Sequence, residues 1–384
     1  MLLLNNRIRR EFLDACAAIT KGSLSLTTPE GEKFHFGAGT PEAEMQIFDW
    51  SVVTATAASG DIGLGETYVA GLWETDSIDR LTQVALLNLD AFGDFAYASF
   101  WKSLKFRTID RLLRANSKRG SSRNIQAHYD VGNEFFQLWL DPGMTYSAAL
   151  FDEGCDDLGR AQTRKYDRIL EPLKGESLLE VGCGWGGFAE RAADRGHRVT
   201  GLTISPSQKG YADARLDGRA EILLRDYRDV QGKYDNIVSI EMIEAVGERY
   251  WPTFFATLKA RLAEGGRAMV QAITVPDDYF KTYRQSSDYI RQYTFPGGML
   301  LSNAAIAKAA AGAGLVVREN FAFGQDYART CATWQRRMEA ETPRIKGLGY
   351  NEAFLRSWRF YLGICAASFA VGQTDVVQVE LAHA

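Results

Sequence analysis

Glu180-Val181-Gly182-Cys183-Gly184-Trp185-Gly186-Gly187 is the stretch that decides the fold of this 384-residue chain. The apolar run before it, Ser177–Val181, predicts a buried strand, and Phe188–Arg195 after it has the spacing of a helix. Glycines at 182, 184 and 187 match G-x-G-x-x-G, in which backbone N–H groups at a helix start hold an anion. The stretch therefore predicts a ligand loop between a strand and a helix.

Strand and helix patterns alternate from this loop onward. Predicted strands are Arg198–Thr203, Ala220–Leu224, Tyr234–Ile240, Ala268–Ile273 and Leu315–Arg318, with helices from Ser205 and over Ser302–Gly312. Such alternation is typical of an α/β fold: a doubly wound, mostly parallel, Rossmann-like sheet with helices on both faces.

Two ligand classes compete for the loop. A dinucleotide site needs a carboxylate about 20 residues on, at the end of the second strand, to bind the ribose. The corresponding segment here, Thr200–Ile204, contains no carboxylate, whereas Glu180 lies inside the strand before the loop. An acid at that place is typical of methyltransferases, and the carboxylate of S-adenosylmethionine is the anion that the loop would hold. We therefore predict S-adenosylmethionine as the cofactor.

The N-terminal part of the chain predicts a smaller unit. Leu24–Leu26 and Phe34–Phe36 alternate like strands, Ile78–Leu89 has helical spacing, and Gly60–Tyr68 is too glycine-rich for a regular element at its start. We predict two domains, residues 1–110 as a lipid- or membrane-associated domain and residues 111–384 as the methyltransferase domain. The apolar stripe in 354–369 is more typical of core than of a ligand site.

Charge and cysteine content indicate which binding partners and which cellular location to expect. The formal net charge is −4, and the basic cluster Lys102–Arg123 has no aromatic residues interleaved at base-stacking intervals, so we expect no nucleic acid partner. That cluster is either a solvated helix or a surface for anionic phospholipid headgroups. The five cysteines show no metal-ligand spacing, and no run is long enough to cross a bilayer. We expect a cytoplasmic protein, bound peripherally to the inner face of the membrane, with no metal.

Several further segments carry a resemblance to one family. They are Leu64-Gly65-Glu66-Thr67-Tyr68 with Gly71, Trp73, Glu74 and Asp76; His128–Asn133; Leu140–Pro142; Met144–Ser147; Gly201–Ser205 with Gln208; Asp226–Asp229; and Tyr293–Gly298. With these motifs the chain resembles the cyclopropane fatty acid synthases, including the mycolic acid cyclopropane synthases and related lipid C-methyltransferases.

The resemblance implies a cofactor site and a reaction. We predict that the cofactor-binding residues are Tyr129, Tyr146, Ser147, Glu180, Gly182, Gly184, Gly186, Thr203, Gln208, Asp226 and Tyr227. In such enzymes a methyl group passes to a cis alkene in a phospholipid acyl chain and leaves a carbocation, from which bicarbonate removes a proton before the ring closes. The resemblance also implies a homodimer.

A cation in a dry site is stabilised by aromatic faces. Tyr289, Tyr293 and Phe295, with Ile273, are predicted to line the substrate and its cation, while Tyr129 and Tyr146 are further aromatic candidates. Ordinary core packing is the alternative for each aromatic residue.

The chain departs from the family in its bicarbonate pocket. The family's cysteine is Ala148, its histidine is Gln271 and a neighbouring histidine is Ala245, whereas Glu244, Ile273 and Tyr327 remain. Gln271 has no charge and cannot carry a proton at neutral pH. Either bicarbonate is bound differently, or another base such as Glu244, beside Tyr327, removes the proton. We predict Glu244, Gln271 and Tyr327 as the catalytic residues.

The altered pocket favours a methyl- or methylene-branched acyl product, such as a precursor of furan or branched fatty acids, over a cyclopropane ring. Two other functions stay open on the sequence. One is a soluble small-molecule methyltransferase, which would not need the basic cluster; the other is a lipid-binding protein with a decayed cofactor site, against which the intact loop argues.

Overall fold

A computed structural model describes residues 2–96 and 131–384 of the chain. The described residues form two compact units. The first contains residues 2–96, Gln285–Thr294 and Cys331–Gln373; the second contains residues 131–284, Phe295–Thr330 and Thr374–Ala384. The assignment of a lipid-associated role to residues 1–110 stays a prediction, and the basic cluster Lys102–Arg123 lies outside the described residues.

The first unit is built on a four-stranded sheet. Its strands are β1 (Gly22–Thr27), β2 (Lys33–Ala38), β3 (Glu42–Ile47) and β4 (Trp73–Glu74), in the order β2-β1-β3-β4. The two strands that the alternating apolar residues predict, β1 and β2, pair antiparallel, and β3 pairs parallel to β1. The helices of this unit are Leu2–Ala17, Ser51–Ser59, Asp61–Val69, Ile78–Leu87, Leu89–Ala96, Thr342–Gly347 and Glu352–Ala370, with a π-helical turn at Ile290–Thr294.

The glycine-rich segment 60–68 differs from the expectation. It forms the helix Asp61–Val69, and its glycines allow close packing rather than a loop. A Cβ on Gly63 would lie 2.1 Å from the Ala55 carbonyl oxygen, and one on Gly65 would lie 2.4 Å from the Tyr289 ring. The tertiary contacts at these two positions outweigh the poor intrinsic helix propensity of glycine.

The motif around Trp73 and Glu74 lies in the core of the first unit. Trp73 is fully buried, and its indole N–H donates to the Leu64 carbonyl at 3.0 Å. The Arg356 guanidinium donates to the backbone carbonyls of Tyr68 and Trp73 and pairs with Glu74. The motif therefore stabilises the junction between strand β4 and the helix Glu352–Ala370.

The second unit is built on a seven-stranded sheet. Its strands are β5 (Ser177–Val181), β6 (Arg198–Thr203), β7 (Glu221–Leu224), β8 (Tyr234–Ile240), β9 (Leu262–Thr274), β10 (Leu315–Ala322) and β11 (Asp375–His383), in the order β10-β11-β9-β8-β5-β6-β7. The five strands from β9 to β7 in that order are parallel, while β11 is antiparallel to both of its neighbours. The α/β prediction is confirmed, although β11 is not among the predicted strands.

Two helices of the second unit begin within one residue of their predicted starts. Ser205 and Ser302 cap the helices Pro206–Leu216 and Asn303–Gly312 by accepting a backbone N–H three residues later. The other helices are Asn133–Gln137, Leu158–Leu170, Gly187–Asp194, Trp251–Arg261 and Phe280–Tyr283, while Gly324–Ala340 begins in this unit. Three short 3₁₀ turns lie at Tyr227–Asp229, Ile243–Ala245 and Glu248–Tyr250. Among the described residues, no helix has the length and apolar character needed to cross a bilayer.

Candidate functional site

The glycine loop lies at the carboxyl end of β5, where ligands bind in open parallel sheets. Gly182 and Gly184 have φ angles of 85° and 52°, a region that side chains disfavour. The N–H groups of Gly182 and Cys183 donate to the Leu202 carbonyl at 3.0 and 2.8 Å, which fixes the loop against β6. A Cβ on Gly184 would meet no atom within 4 Å, so the backbone there faces open space. This loop can approach a ligand closely.

Two predicted cofactor-binding residues, Glu180 and Tyr227, each have a buried polar atom without a hydrogen-bond partner among the described residues. The Glu180 side chain is 2% exposed, and its Oε2 has no hydrogen-bond partner within the described part of the chain. The Tyr227 hydroxyl likewise has no partner among the described residues. Burial raises the pKa of Glu180 to about 8, against the opposing positive charge of Lys165. Unpaired polar groups of this kind are costly unless a ligand binds them, and the amino group of S-adenosylmethionine fits Glu180.

The end of strand β6 presents a connected pair. The Thr203 hydroxyl donates to Gln208 Oε1 at 2.9 Å and accepts the Ser205 N–H at 3.1 Å. All three residues are buried. The arrangement places neutral hydroxyl and amide groups where a dinucleotide fold has a carboxylate, as the sequence predicts.

Aromatic rings enclose the segment around Tyr146. The Phe136 ring lies 5.5 Å from the Tyr146 ring and 5.2 Å from the Trp185 ring, while Trp139 is 5.8 Å from Tyr146. The Trp185 indole donates to Asn133 Oδ1 at 2.8 Å. The last residue of the predicted entry motif therefore binds the glycine loop, and the aromatic faces suit a cationic sulfonium.

A buried lysine lies behind this segment. Lys165 is 0% exposed, and its ammonium donates to the Ser147 hydroxyl at 2.7 Å. Burial lowers the pKa of Lys165 to about 8, while the negative charges of Glu241, Asp141 and Glu180 oppose that shift. Ser147 is thus held from within the protein, and Lys165 supplies a positive potential to three carboxyl groups.

Glu241, directly after β8, is the centre of a hydrogen-bond cluster. Its Oε1 accepts the Ala148 N–H at 2.9 Å and the Gln271 amide at 2.7 Å, while its Oε2 accepts the Tyr327 hydroxyl at 2.6 Å. The Glu241 residue is half-buried, and burial raises its pKa although the Tyr327 hydrogen bond, Lys165 and the other two donors favour the ionised form.

Glu244 has a different environment from Glu241. Its Oε1 accepts the Ile273 N–H at 2.5 Å, and its Oε2 has no hydrogen-bond partner among the described residues. Burial, followed by the charge of Glu241, raises the pKa of Glu244 to about 8. Met299 donates to the Glu244 carbonyl at 2.9 Å, so the segment after Phe295 lies beside this residue. The sequence predicts Glu244 beside Tyr327, whereas the Tyr327 hydroxyl donates to Glu241.

The remaining predicted site residues lie outside the Glu241 cluster or outside the described residues. Tyr289 is buried in the first unit and its hydroxyl lies 2.8 Å from that of Ser357, while Tyr293 is exposed and donates to Glu66. Asp226 caps the turn Tyr227–Asp229 and pairs with Arg228 at 2.6 Å. Tyr129 lies outside the described residues. The cofactor, catalytic and cation roles of all these residues stay predictions.

Sequence reasoning missed two residues at this site, Glu241 and Lys165. A signal for Glu241 was present, because a carboxylate directly after the apolar strand β8 lies at the edge where ligands bind. Lys165 shares a buried helix face with Ala161 and Ile169, four residues to either side, and a lysine inside such a stripe is a functional candidate.

Comparison with known proteins identifies the family. The profile of the mycolic acid cyclopropane synthetase family matches residues 116–379. The chain is 36% identical over 338 residues to tuberculostearic acid methyltransferase UfaA1 of Mycobacterium tuberculosis, covering 84% of this chain and 79% of that protein. It is 33% identical over 353 residues to the cyclopropane-fatty-acyl-phospholipid synthase of Escherichia coli K12, covering 89% and 88%.

A solved structure agrees with these relatives. The structure of mycolic acid cyclopropane synthase CmaA1 complexed with SAH and CTAB superposes with a TM-score of 0.63 at 30% identity, covering 68% of this chain and 97% of that one. With the glycine loop, the unpaired Glu180 and Tyr227 atoms and these similarities, the predicted cofactor is confirmed. The chain belongs to the mycolic acid cyclopropane synthetase family, and its cofactor is S-adenosylmethionine.

Proposed function

We propose that this protein methylates a cis double bond in the acyl chain of a membrane phospholipid and gives a methyl- or methylene-branched chain. The observation that carries the branched product is the Glu241 cluster. Gln271 and the Ala148 N–H, at positions where the resemblance implies a bicarbonate pocket, instead bind a side chain of the protein itself. The 36% identity to UfaA1, named as a methyltransferase, supports the same conclusion.

One set of residues would bind the cofactor, and another would stabilise the cation and accept the proton. The loop from Gly182 to Gly186 would hold the cofactor. The polar groups of the cofactor would bind Glu180, Thr203, Gln208 and Tyr227. S-adenosylmethionine supplies an electrophilic methyl group. The aromatic rings around Tyr146 exclude water and present negative faces, each contributing up to about 2 kcal/mol to a nearby cation. The carboxyl groups of Glu241 and Glu244, which both follow β8 and accept hydrogen bonds from β9, are the candidate proton acceptors.

The substrate and product are tested with phospholipid vesicles of defined chains. Purified protein is incubated with S-adenosylmethionine carrying a CD₃ group and with monounsaturated, diunsaturated or saturated phospholipid. We expect methylated esters only from unsaturated chains, with two deuterium atoms retained if the proton leaves from the transferred methyl group. Absence of any methylated acyl chain contradicts the proposed function.

The ring and the methylene branch have the same mass, so proton NMR of methyl esters made with unlabelled S-adenosylmethionine distinguishes them. We expect vinylic protons from a methylene group. Upfield cyclopropyl protons alone contradict the branched product and favour the second candidate, a cyclopropane synthase, which the 33% identity to the Escherichia coli enzyme supports.

We also propose that the protein acts at the inner face of the membrane, as a homodimer that contacts anionic headgroups through Lys102–Arg123. This segment contains Lys102, Lys105, Arg107, Arg111, Arg114, Lys118, Arg119 and Arg123 against one acid, Asp110. Each cation near an anionic surface contributes on the order of 1 kcal/mol. We expect cosedimentation with anionic vesicles that high salt abolishes, and a dimer by light scattering. Equal binding to neutral vesicles contradicts the electrostatic contact.

A further inference from the structure

We propose that Glu241 is the base that completes the reaction, so that a carboxylate of the protein replaces an external anion. This inference rests on the proposed function, because it assigns a residue to the proton that the methylated chain must lose. It transfers the role of base from Glu244, the residue predicted from the sequence, to a residue that the sequence analysis did not single out.

The backbone at Glu241 is the first observation. Its φ angle is +49°, in the left-handed region that non-glycine residues rarely adopt. Its N–H donates to the Gln271 carbonyl at 2.8 Å, which holds the strained residue between the ends of β8 and β9. Glutamate at a position that glycine would occupy without strain needs a reason, and such strain clusters at functional sites.

The donors around the carboxylate are the second observation. They come from three separate segments: the loop at Ala148, strand β9 at Gln271 and the helix beginning at Gly324, which contains Tyr327. Three donors aimed at the two oxygens of one group form an anion-binding site, and the Glu241 carboxylate occupies it.

A relay behind Gln271 fixes the direction of its amide. Gln378 on β11 donates to Gln271 Oε1 at 3.0 Å, so the Gln271 NH₂ group is directed to Glu241. The Arg168 guanidinium in turn donates to Gln378 Oε1 at 3.1 Å. The orientation of Gln271 is therefore set by buried contacts before any substrate binds, which is what a preorganised site requires.

The charges separate the two glutamates into different roles. Burial raises the pKa of both glutamates, but three hydrogen bonds and the nearby Lys165 oppose this rise at Glu241, whereas Glu244 accepts one backbone hydrogen bond and the charge of Glu241 adds to the rise of its pKa to about 8. Two carboxyl groups whose environments differ in this way divide into a base and a neutral acid. Glu241 is the proton acceptor of the pair.

With Glu241 as the base, the reaction proceeds by methyl transfer, a hydride shift and loss of one proton. The π electron pair of the alkene forms the new bond to the methyl carbon, the C–S bond pair stays on sulfur, and the positive charge moves to the neighbouring alkene carbon. A hydride shift places the charge on the methyl-bearing carbon. Glu241 then accepts a proton from that methyl group, and the released C–H pair becomes the C=C bond of a methylene branch. No oxidant, reductant or further reactant is needed.

The decisive experiment removes the carboxylate in two ways and leaves the fold intact. Glu241→Gln keeps the shape and loses the proton acceptor; Glu241→Gly relieves the φ strain and opens the space that the side chain fills. Glu264→Gln, at an exposed residue of β9, is the matched control. Calorimetry with S-adenosylmethionine and vesicle turnover are measured for each protein, in CO₂-free buffer and with added bicarbonate or formate.

We expect wild-type turnover to be independent of bicarbonate. Glu241→Gln should bind the cofactor but lose about 10²- to 10⁴-fold in turnover, the usual contribution of a positioned base, while Glu264→Gln retains activity. Bicarbonate or formate should partly restore Glu241→Gly but not Glu241→Gln, because only the glycine variant has room for the anion. A larger isotope effect with the CD₃ cofactor in Glu241→Gln would place the loss in proton removal.

Four results overturn the assignment. They are a bicarbonate requirement in the wild type, wild-type turnover in Glu241→Gln, loss of cofactor binding in both Glu241 variants, and a cofactor-binding Glu241→Gly variant that no anion restores. A wild-type protein that methylates no phospholipid contradicts the proposed function instead, so the two failures are distinguishable.

Discussion

The buried carboxyl group of Glu180 should destabilise the protein at neutral pH when no cofactor is bound. Its side chain is 2% exposed and one carboxyl oxygen has no hydrogen-bond partner among the described residues, and its pKa rises from 4.5 to about 8 on burial. In the unfolded chain the carboxyl ionises near 4.5, whereas in the folded chain it stays protonated up to about pH 8. The unfolded state therefore gains the free energy of ionisation at neutral pH, and the folded state without ligand does not.

The size of the effect follows from the two pKa values. At pH 7 the gap to 4.5 is about 2.5 units, which at about 1.36 kcal/mol per unit lowers the free energy of unfolding by about 3.4 kcal/mol. The Glu180→Gln variant removes this penalty. Its buried amide lacks one partner, which returns about 1 kcal/mol, so we expect a net gain of about 2 kcal/mol. For a unit of about 200 residues this raises the melting temperature by about 4–8 °C.

The stabilisation by Glu180→Gln should depend on pH in one direction only. Below pH 4.5 the raised pKa of Glu180 does not lower the free energy of unfolding, because the carboxyl group is protonated in both states. The loss of free energy grows as the pH rises from 4.5 to about 8 and is constant above that pH. The melting temperature of Glu180→Gln minus that of the wild type should therefore grow between these two pH values. Glu221→Gln, at an exposed carboxylate on β7, is the control and should show no such trend.

The assay is scanning fluorimetry of the cofactor-free proteins across this pH range, followed by calorimetry with S-adenosylmethionine. We expect the stabilised variant to bind the cofactor about 10- to 100-fold more weakly, the usual loss for one charge-assisted hydrogen bond. A variant that melts lower than the wild type at pH 7, a difference that does not change with pH, or unchanged cofactor affinity would each refute the reasoning.

Three further variants and one control variant test other parts of the molecule. Gly65→Ala places a Cβ 2.4 Å from the Tyr289 ring and should destabilise the first unit by about 1–3 kcal/mol, whereas Gly210→Ala, whose Cβ would meet nothing within 4 Å, should be neutral or stabilising in thermal melts. Arg356→Gln leaves two buried backbone carbonyls without their donor and should lower the stability of the same unit by about 2–3 kcal/mol in urea titrations. Gln271→Leu removes a donor to the proposed base and should reduce kcat about 10-fold with little change in KM; an unchanged kcat would show that this amide does not orient the base.

Local sequence was sufficient for the cofactor half of the site. The glycines at 182 and 184 have positive φ angles that follow from the turn itself, and Ser205 caps its helix through an interaction within three residues. The strands β5, β6 and β8 appear within a residue of their predicted bounds, because buried parallel strands are short apolar runs between turn residues. These features depend on neighbours along the chain, so the printed sequence determines them.

The second half of the site depended on the order of the strands. Glu241 meets Ala148, Gln271 and Tyr327, which are 93, 30 and 86 residues away along the chain. Gln271 is directed to Glu241 by Gln378, on a strand that inserts antiparallel beside β9. No local pattern determines which strand ends become neighbours or which of two nearby glutamates accepts three hydrogen bonds. The sequence alone determined the methyl donor, because that loop is a local structure. Only the tertiary structure brought Glu241 together with its three hydrogen-bond donors, because such partners are set by packing in space.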